Sequence, residues 1–391
     1  MKVSKRIAGL TGGGSDGWDI WRKASALKSQ GIDVVELTVG EHDRRTEPEI
    51  LDAMYASARA GHTGYSALPG TDALRDAVAA RVANRTGVTT HRDNVLITPG
   101  GQSALFAAHT AACDPGDRAL YIDPYYATYP GTIRGTGAVA IPVAARPERG
   151  FQPTADDIAA AGPAKSLLIN SPNNPTGVVY TRDTIDAIAG VCRDSDMFLI
   201  SDEVYETQVW LGEHLSPRQL PDMADRTMII GSMSKGHAMT GSRLGWIVAA
   251  AEVIEHLANL STHTTYGVPG FIQDAALFAL EQGPDFEARI AAPFRRRHHL
   301  IQEILNKRGL PFVPSGGAMY LMLDIRASGL SGEAFAHRLL DENRIAAMPG
   351  ESFGEAAAGH LRVALTIDDE RLADAVRTIC DLYDTMREAA A

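Results

Sequence analysis

The sequence predicts an α/β fold, with a large domain built on a mostly parallel sheet covered by helices and a smaller α+β domain beside it. Three observations lead there. Six short runs after Asn94 are apolar on both faces, as strands buried between two helix layers must be. Helical patterns separate many of these runs, the alternation of a doubly wound sheet. After about Pro284 the alternation stops, and a long helix, two strands and a final helix take over.

The elements run in order. Gly12-Gly13-Gly14 reads as a connector, because no strand precedes it and no lysine follows, as a phosphate loop requires. Trp18, Trp21, Ala24 and Leu27 share one face of a short helix, with Gly31 as its C-terminal cap. The six apolar runs are Val95–Ile97, Ala119–Ile122, Leu167–Ile169, Phe198–Ile200, Met228–Ile230 and Trp246–Val248; Ser103–Ala112 and Asp183–Arg193 are two of the helices between them. The second part has a helix over Phe286–Arg308, strands at Ala318–Leu323 and Leu361–Leu365, and a helix over Asp369–Glu388. A chain of 391 residues exceeds the size at which one core stops growing, roughly 250–300 residues, so two unequal cores are expected. The boundaries read as 45–284 for the large domain, with 1–44 and 285–391 forming the small one.

Composition narrows the function. With 45% hydrophobic and 22% charged residues, the chain can fill a core and is not disordered. A net charge of -11 argues against nucleic acid and anionic membrane as partners, since both select basic patches. Arg295-Arg296-Arg297 lies in a helical pattern and reads as a solvated face. Cys113, Cys192 and Cys380 are odd in number and widely spaced, which gives neither a disulfide framework nor a metal cluster. No run approaches the ~20 apolar residues of a membrane span, and Met1–Leu10 has no signal-peptide core; the expected compartment is the cytoplasm.

In such sheets ligands bind beyond the carboxyl ends of the strands. The residues that follow the runs are Gly100-Gly101-Gln102, Asp123 to Tyr126, Asn170 to Gly177, Asp202, and Ser232 to Lys235. An aromatic, an amide, a carboxylate, a lysine and a glycine turn suit a phosphorylated aromatic cofactor with a ring nitrogen.

These residues carry a resemblance. Tyr65–Arg75 (YSALPGTDALR), Ser171–Gly177 (SPNNPTG), Ser201–Tyr205 (SDEVY), Ser232–Gly245 (SMSKGHAMTGSRLG) and Leu361-Arg362-Val363 occur in the order found in class I/II aminotransferases. Those are pyridoxal 5'-phosphate enzymes of fold type I, like aspartate aminotransferase, and the likeness spans about residues 30–370.

The resemblance implies a role for each matching position. Lys235, in S-x-S-K-G, is similar to the lysine that forms a Schiff base with the cofactor aldehyde and then shuttles the α-proton. Asp202 resembles the carboxylate that keeps the pyridine nitrogen protonated and the ring an effective electron sink; a helix N-cap is its bland alternative and Glu203 a competing acid. Asn174 and Tyr205 resemble the pair that hydrogen-bonds the ring's 3'-oxygen. Tyr126 stands where the family stacks an aromatic on the ring, with Tyr125 and Tyr129 as competitors. For the phosphate, Gly101 and Gln102 precede a helix whose free N–H groups form an anion site, Ser232 adds a hydroxyl and Arg243, eight residues after the lysine, a guanidinium. Tyr65 resembles a tyrosine that reaches the phosphate of a neighbouring subunit, which implies a homodimer with shared active sites. Arg362 resembles the clamp for the substrate α-carboxylate, and Gly40 a glycine that borders the substrate alongside Asn174.

The implied reaction moves the amino group of an L-amino acid to a 2-oxo acid. A β-eliminating lyase on the same constellation is the alternative. A non-enzymatic regulator would add a DNA-binding module, for which the chain has no spare residues. The family often has a proline where His42 stands. No second cation is evident for an acidic substrate side chain, which leans the donor towards a neutral or aromatic amino acid. Thr262–Tyr266 reads either as a contribution to a neighbouring pocket or as a plain loop.

Overall fold

The computed structural model describes residues 1–12 and 17–390. Gly13 and Gly14 of the glycine run therefore lie outside the described residues.

Seven strands form the large sheet: β2 (Val95–Thr98), β3 (Arg118–Asp123), β4 (Val139–Ala144), β5 (Ser166–Asn170), β6 (Phe198–Asp202), β7 (Thr227–Ser232) and β8 (Gly245–Val248). Their order is β2-β8-β7-β6-β5-β3-β4. The five strands from β7 to β4 are parallel, and β8 runs antiparallel to both of its neighbours. β5 and β7 are buried at every residue, which is why their sequences carry no polar face. β4 is the strand that the apolar runs did not predict. It is one of the two sheet edges, half exposed, and contains Pro142, which only an edge strand accommodates readily.

A second sheet has the order β1-β10-β11-β9, from β1 (Val35–Leu37), β9 (Tyr320–Asp324), β10 (Ile345–Pro349) and β11 (His360–Ala364). β1 pairs with β10 in parallel, so the N-terminal part of the chain joins the C-terminal sheet. β1 has three residues and β10 one apolar run without alternation, and neither was expected from the sequence. Helices Gly283–Arg308 and Asp369–Ala390 pack together over this sheet, and Phe294, Ile301, Leu305, Phe335, Leu361 and Val376 share its core.

Two local expectations are corrected. In the helix Asp19–Ser29, Ala24 is buried and Leu27 packs against the core as expected, but Ile20 completes the inward stripe while Trp21 is exposed. The helix Gly283–Arg308 does expose Arg295 and Arg296, but Arg297 is buried, bonded to Asp43 at 2.5 Å, Asp369 at 3.0 Å and the Leu365 carbonyl at 3.1 Å. It ties the segment after β1 to the small-sheet layer instead of facing water. Among the described residues no helix is long and apolar enough to cross a membrane, and all three cysteines are free.

Candidate active site

The carboxyl ends of β5, β6 and β7 and the start of the helix after β2 open into one cavity of about 340 Å³, closed on the far side by the small sheet. Its lining brings together Gly40, Gly101, Gln102, Tyr126, Asn174, Asp202, Tyr205, Ser232, Lys235, Arg243 and Arg362. Of the expected site residues only Tyr65 stands apart, 90% exposed with its ring against Tyr266 at 5.0 Å. Thr262 closes a helix, and Thr264–Tyr266 follow as a surface turn.

Asp202 ends β6 and is buried. Its Oδ2 accepts from the Tyr129 hydroxyl at 2.7 Å and its Oδ1 from the Val204 N–H at 3.3 Å. Burial pushes its pKa up to about 6, opposed by those two donors. No cation hydrogen-bonds it among the described residues. Glu203, the competing acid, faces away, accepting from the Ser216 hydroxyl at 2.8 Å and lying 3.1 Å from His214.

Ser232 ends β7 and caps the short helix Met233–Gly236, its hydroxyl accepting from Ser234 N–H at 3.1 Å. That turn aims Lys235 across the cavity, where Nζ donates to the Gly40 carbonyl at 2.6 Å and lies 5.9 Å from the centre of the Tyr205 ring. Gly40 has to be glycine, since a Cβ there would overlap the Tyr320 hydroxyl.

The helix after β2 begins at Gly101, two residues earlier than expected. Ala104 is the first N–H bonded back into it, to the Gly100 carbonyl at 3.3 Å, so the amides of 101–103 belong to the open first turn and can hold an anion. Gly100, at φ +81°, lets Arg243 come close: an added Cβ would sit 2.5 Å from Arg243 Nη2. The Gln102 side chain is committed elsewhere, donating to the Thr132 hydroxyl at 2.6 Å and accepting from Thr128 at 2.9 Å. Only its backbone is available to a phosphate.

Arg362 lies on β11, is 2% exposed, and is held between the rings of Tyr320 (4.5 Å) and Phe353 (4.3 Å). It donates to Asn174 Oδ1 at 2.8 Å and to the Thr38 carbonyl, while its buried Nε finds no partner among the described residues. The Tyr205 and Tyr320 hydroxyls are 3.0 Å apart, and burial with this contact raises the Tyr205 pKa well above the ordinary phenol value.

The sequence profile described as aminotransferase class I and II matches residues 32–379. The chain belongs to that family. It is 41% identical over 383 residues to the arginine–pyruvate transaminase of Pseudomonas aeruginosa, covering 97% of each chain. It is 34% identical over 359 residues to the aspartate/prephenate aminotransferase of Thermus thermophilus, covering 90% of this chain and 92% of the other. A Thermus thermophilus aspartate aminotransferase double mutant superposes with a TM-score of 0.92 at 33% identity, over 98% of this chain and 100% of that one. The protein is an aminotransferase of the aspartate aminotransferase-like fold, and these relatives favour transamination over the β-eliminating alternative.

Two functional contacts of the aminotransferase escaped the sequence. Tyr129 was one of three candidates for stacking; its hydroxyl instead holds Asp202, and it meets Tyr126 edge-on at 5.7 Å. Tyr320 was not singled out, yet it touches Tyr205, Asn174 and Arg362. Its signal was a tyrosine in the strand next to the one that carries Arg362.

Proposed function

We propose that this cavity holds pyridoxal 5'-phosphate and that the chain transfers the amino group of an L-amino acid to a 2-oxo acid such as pyruvate or 2-oxoglutarate. The fit rests on one observation above the others: Asp202 is a fully buried carboxylate whose hydrogen bonds come from neutral donors, and a protonated ring nitrogen is the cation its position calls for. The open helix turn at 101–103, Ser232 and Arg243 supply the phosphate site. Asn174 and Tyr205 would hydrogen-bond the ring's 3'-oxygen, and Tyr126 would stack on its face; all three line the cavity.

When bound, the cofactor supplies an aldehyde carbon for an amine and an electron-accepting ring. The protein does the rest. Arg362 takes the substrate carboxylate in its planar fork and thereby fixes the direction of the Cα–H bond. Lys235 accepts the proton at Cα and returns it at the other end of the transfer. Asp202 and Tyr129 keep the developing charge stabilised in a site from which closure around the substrate excludes water. Residues 45–284 act as the cofactor-bearing unit, and 1–44 with 285–391 as the unit that closes. The exposed pair Tyr65 and Tyr266 is taken as part of a homodimer contact that lets Tyr65 reach the partner's phosphate, in a cytoplasmic enzyme.

Lys235→Ala tests the assignment. Turnover should fall by many orders of magnitude, and borohydride should no longer fix cofactor to the protein. Labelling that persists in the mutant refutes Lys235 as the anchor. Sedimentation at micromolar concentration should show a dimer; a catalytically competent monomer sinks the shared site.

A further inference from the structure

Four acidic side chains are buried among the described residues: Asp123, Asp202, Glu203 and Glu287. Three have evident occupations. Asp202 faces the cavity, Glu203 bonds Ser216 and meets His214, and Glu287 pairs with Arg81 and Arg85. Asp123 ends β3, and no cation among the described residues pairs with it. Burial pushes its pKa up to about 6, so it is still ionised at neutral pH. A buried charge without a counter-ion is costly, which gives weight to what this one holds.

It holds a loop next to the small sheet. Gly350–Phe353 and Glu355–Ala357 form two tight helical turns joined at Gly354. Asp123 Oδ2 accepts from the Ala356 N–H at 3.4 Å, while the buried Oδ1 finds no hydrogen-bond partner among the described residues. Oδ1 packs against Gly354, where an added Cβ would overlap it. Gly354 has φ +116°, which only glycine adopts without strain. Two residues beyond Asp123, the Tyr125 N–H donates to the Phe353 carbonyl at 2.9 Å. The end of β3 therefore grips the loop on both sides of Gly354.

The grip leads to Arg362. The Phe353 ring is fully buried and lies 4.3 Å from the guanidinium, and Tyr320 lies 4.5 Å from it. A planar guanidinium confined by two rings has its fork direction set by them. Tyr320 belongs to β9, which pairs with β11, so the small sheet itself fixes that ring. Phe353 belongs to the loop, and the large sheet fixes it through Asp123 and Tyr125.

We propose that Asp123 is a positioning residue for substrate capture: through the loop 350–357 it seats Phe353 against Arg362, and so aims the fork that takes the α-carboxylate. The proposal rests on the assignment of Arg362 to that carboxylate.

The test uses two amines that differ in one group. 2-Aminoisobutyrate has a carboxylate and no α-hydrogen, and tert-butylamine has a methyl group in place of the carboxylate. Neither can complete a transfer. Binding of each is read from the absorbance of the cofactor-loaded enzyme at mildly alkaline pH, where Asp123 is ionised. The ratio of the two dissociation constants measures the carboxylate contact, and a general loss of folding or of cofactor cancels in it. The wild type should favour 2-aminoisobutyrate. Asp123→Ala should lower that preference by about tenfold, the range of one hydrogen bond to a charged group. Asp123→Asn keeps an acceptor for the Ala356 N–H and should lower it less. Gly354→Ala pushes the loop away from the other side and should act as Asp123→Ala does. An unchanged ratio in Asp123→Ala, even with both amines bound more weakly, or an Asn variant no better than Ala, overturns the proposal. Arg362→Lys separates the two claims. If it leaves the wild-type ratio in place, the Arg362 assignment fails; if it collapses the ratio and Asp123→Ala does not lower it, only the role of Asp123 fails.

Discussion

The two walls of the cavity are built by different means. On the large-sheet side, Asn170, Asp202 and Ser232 end adjacent parallel strands, and Lys235 follows one short turn later. Their positions follow from the strand ladder. On the opposite side the segment Thr38–Thr46 is a strap held from both sheets. Arg362 takes the Thr38 carbonyl, Thr366 the Val39 carbonyl at 3.1 Å, and Lys235 the Gly40 carbonyl at 2.6 Å. Further along, Arg297 holds Asp43 at 2.5 Å and Thr46 donates to the Ala238 carbonyl at 2.9 Å. Two of these donors, Lys235 and Arg362, are the groups that cofactor and substrate would claim. The floor is placed by the strand ladder, whereas the strap is bonded to residues whose partners would change on binding. Damage to the floor should therefore appear in the chemistry, and damage to the wall in substrate capture.

After the loss of Lys235 itself, the largest effect should come from the wall. Arg362→Lys keeps the charge and loses the planar fork, so reactivity with α-amino acids should drop by about a hundredfold or more, with far less loss for simple amines that have no carboxylate. Stopped-flow half-reactions with both donors decide it. Equal losses would assign Arg362 to the fold instead of the substrate.

Next comes the floor. Asp202→Ala should weaken cofactor affinity by about ten- to a hundredfold, the range for losing a buried hydrogen bond to a charged group, and should slow α-proton removal in addition. Thermal melting without cofactor should not fall, because the mutation also removes a buried carboxylate that lacks a cation. Near-normal proton removal would break the distinction between floor and wall.

The mildest test is acid. Burial holds His42, His109 and His298 down to about 4 and His237 to about 3. Each is neutral in the fold and titrates near 6.5 when unfolded, so the unfolded chain binds more protons below pH 6.5. Stability should be fully present above about pH 6.5 and decline as pH falls towards 4, by on the order of 3 kcal/mol per histidine at most. His42 belongs to the strap, packed edge-on against Phe294 at 5.0 Å, and His109 to the helix after β2. Replacing His42 with Asn should flatten part of the slope seen by chemical unfolding; an unchanged slope would mean that His42 is not held neutral.

The sequence by itself determined the α/β class, because buried parallel strands must be apolar on both faces and the runs at 119–122, 167–169, 198–200 and 228–230 say so locally. It also determined which groups stand at the strand ends, since Asp202 and Lys235 follow their strands within a few residues and local geometry carries them into the cleft. Tertiary structure decided the rest. β4 is an edge strand with a proline, and β1 is three residues paired with a strand some 310 positions away, so neither leaves a periodic trace. Tyr129 could have stacked on a ligand or bonded a carboxylate, and only the packing of its helix against β3, β4 and the helix after β2 settles that it holds Asp202. Tyr320, Arg297 and the strap act through contacts between residues far apart in the chain. Such contacts depend on how two sheets are placed against each other, and no window of sequence contains that placement.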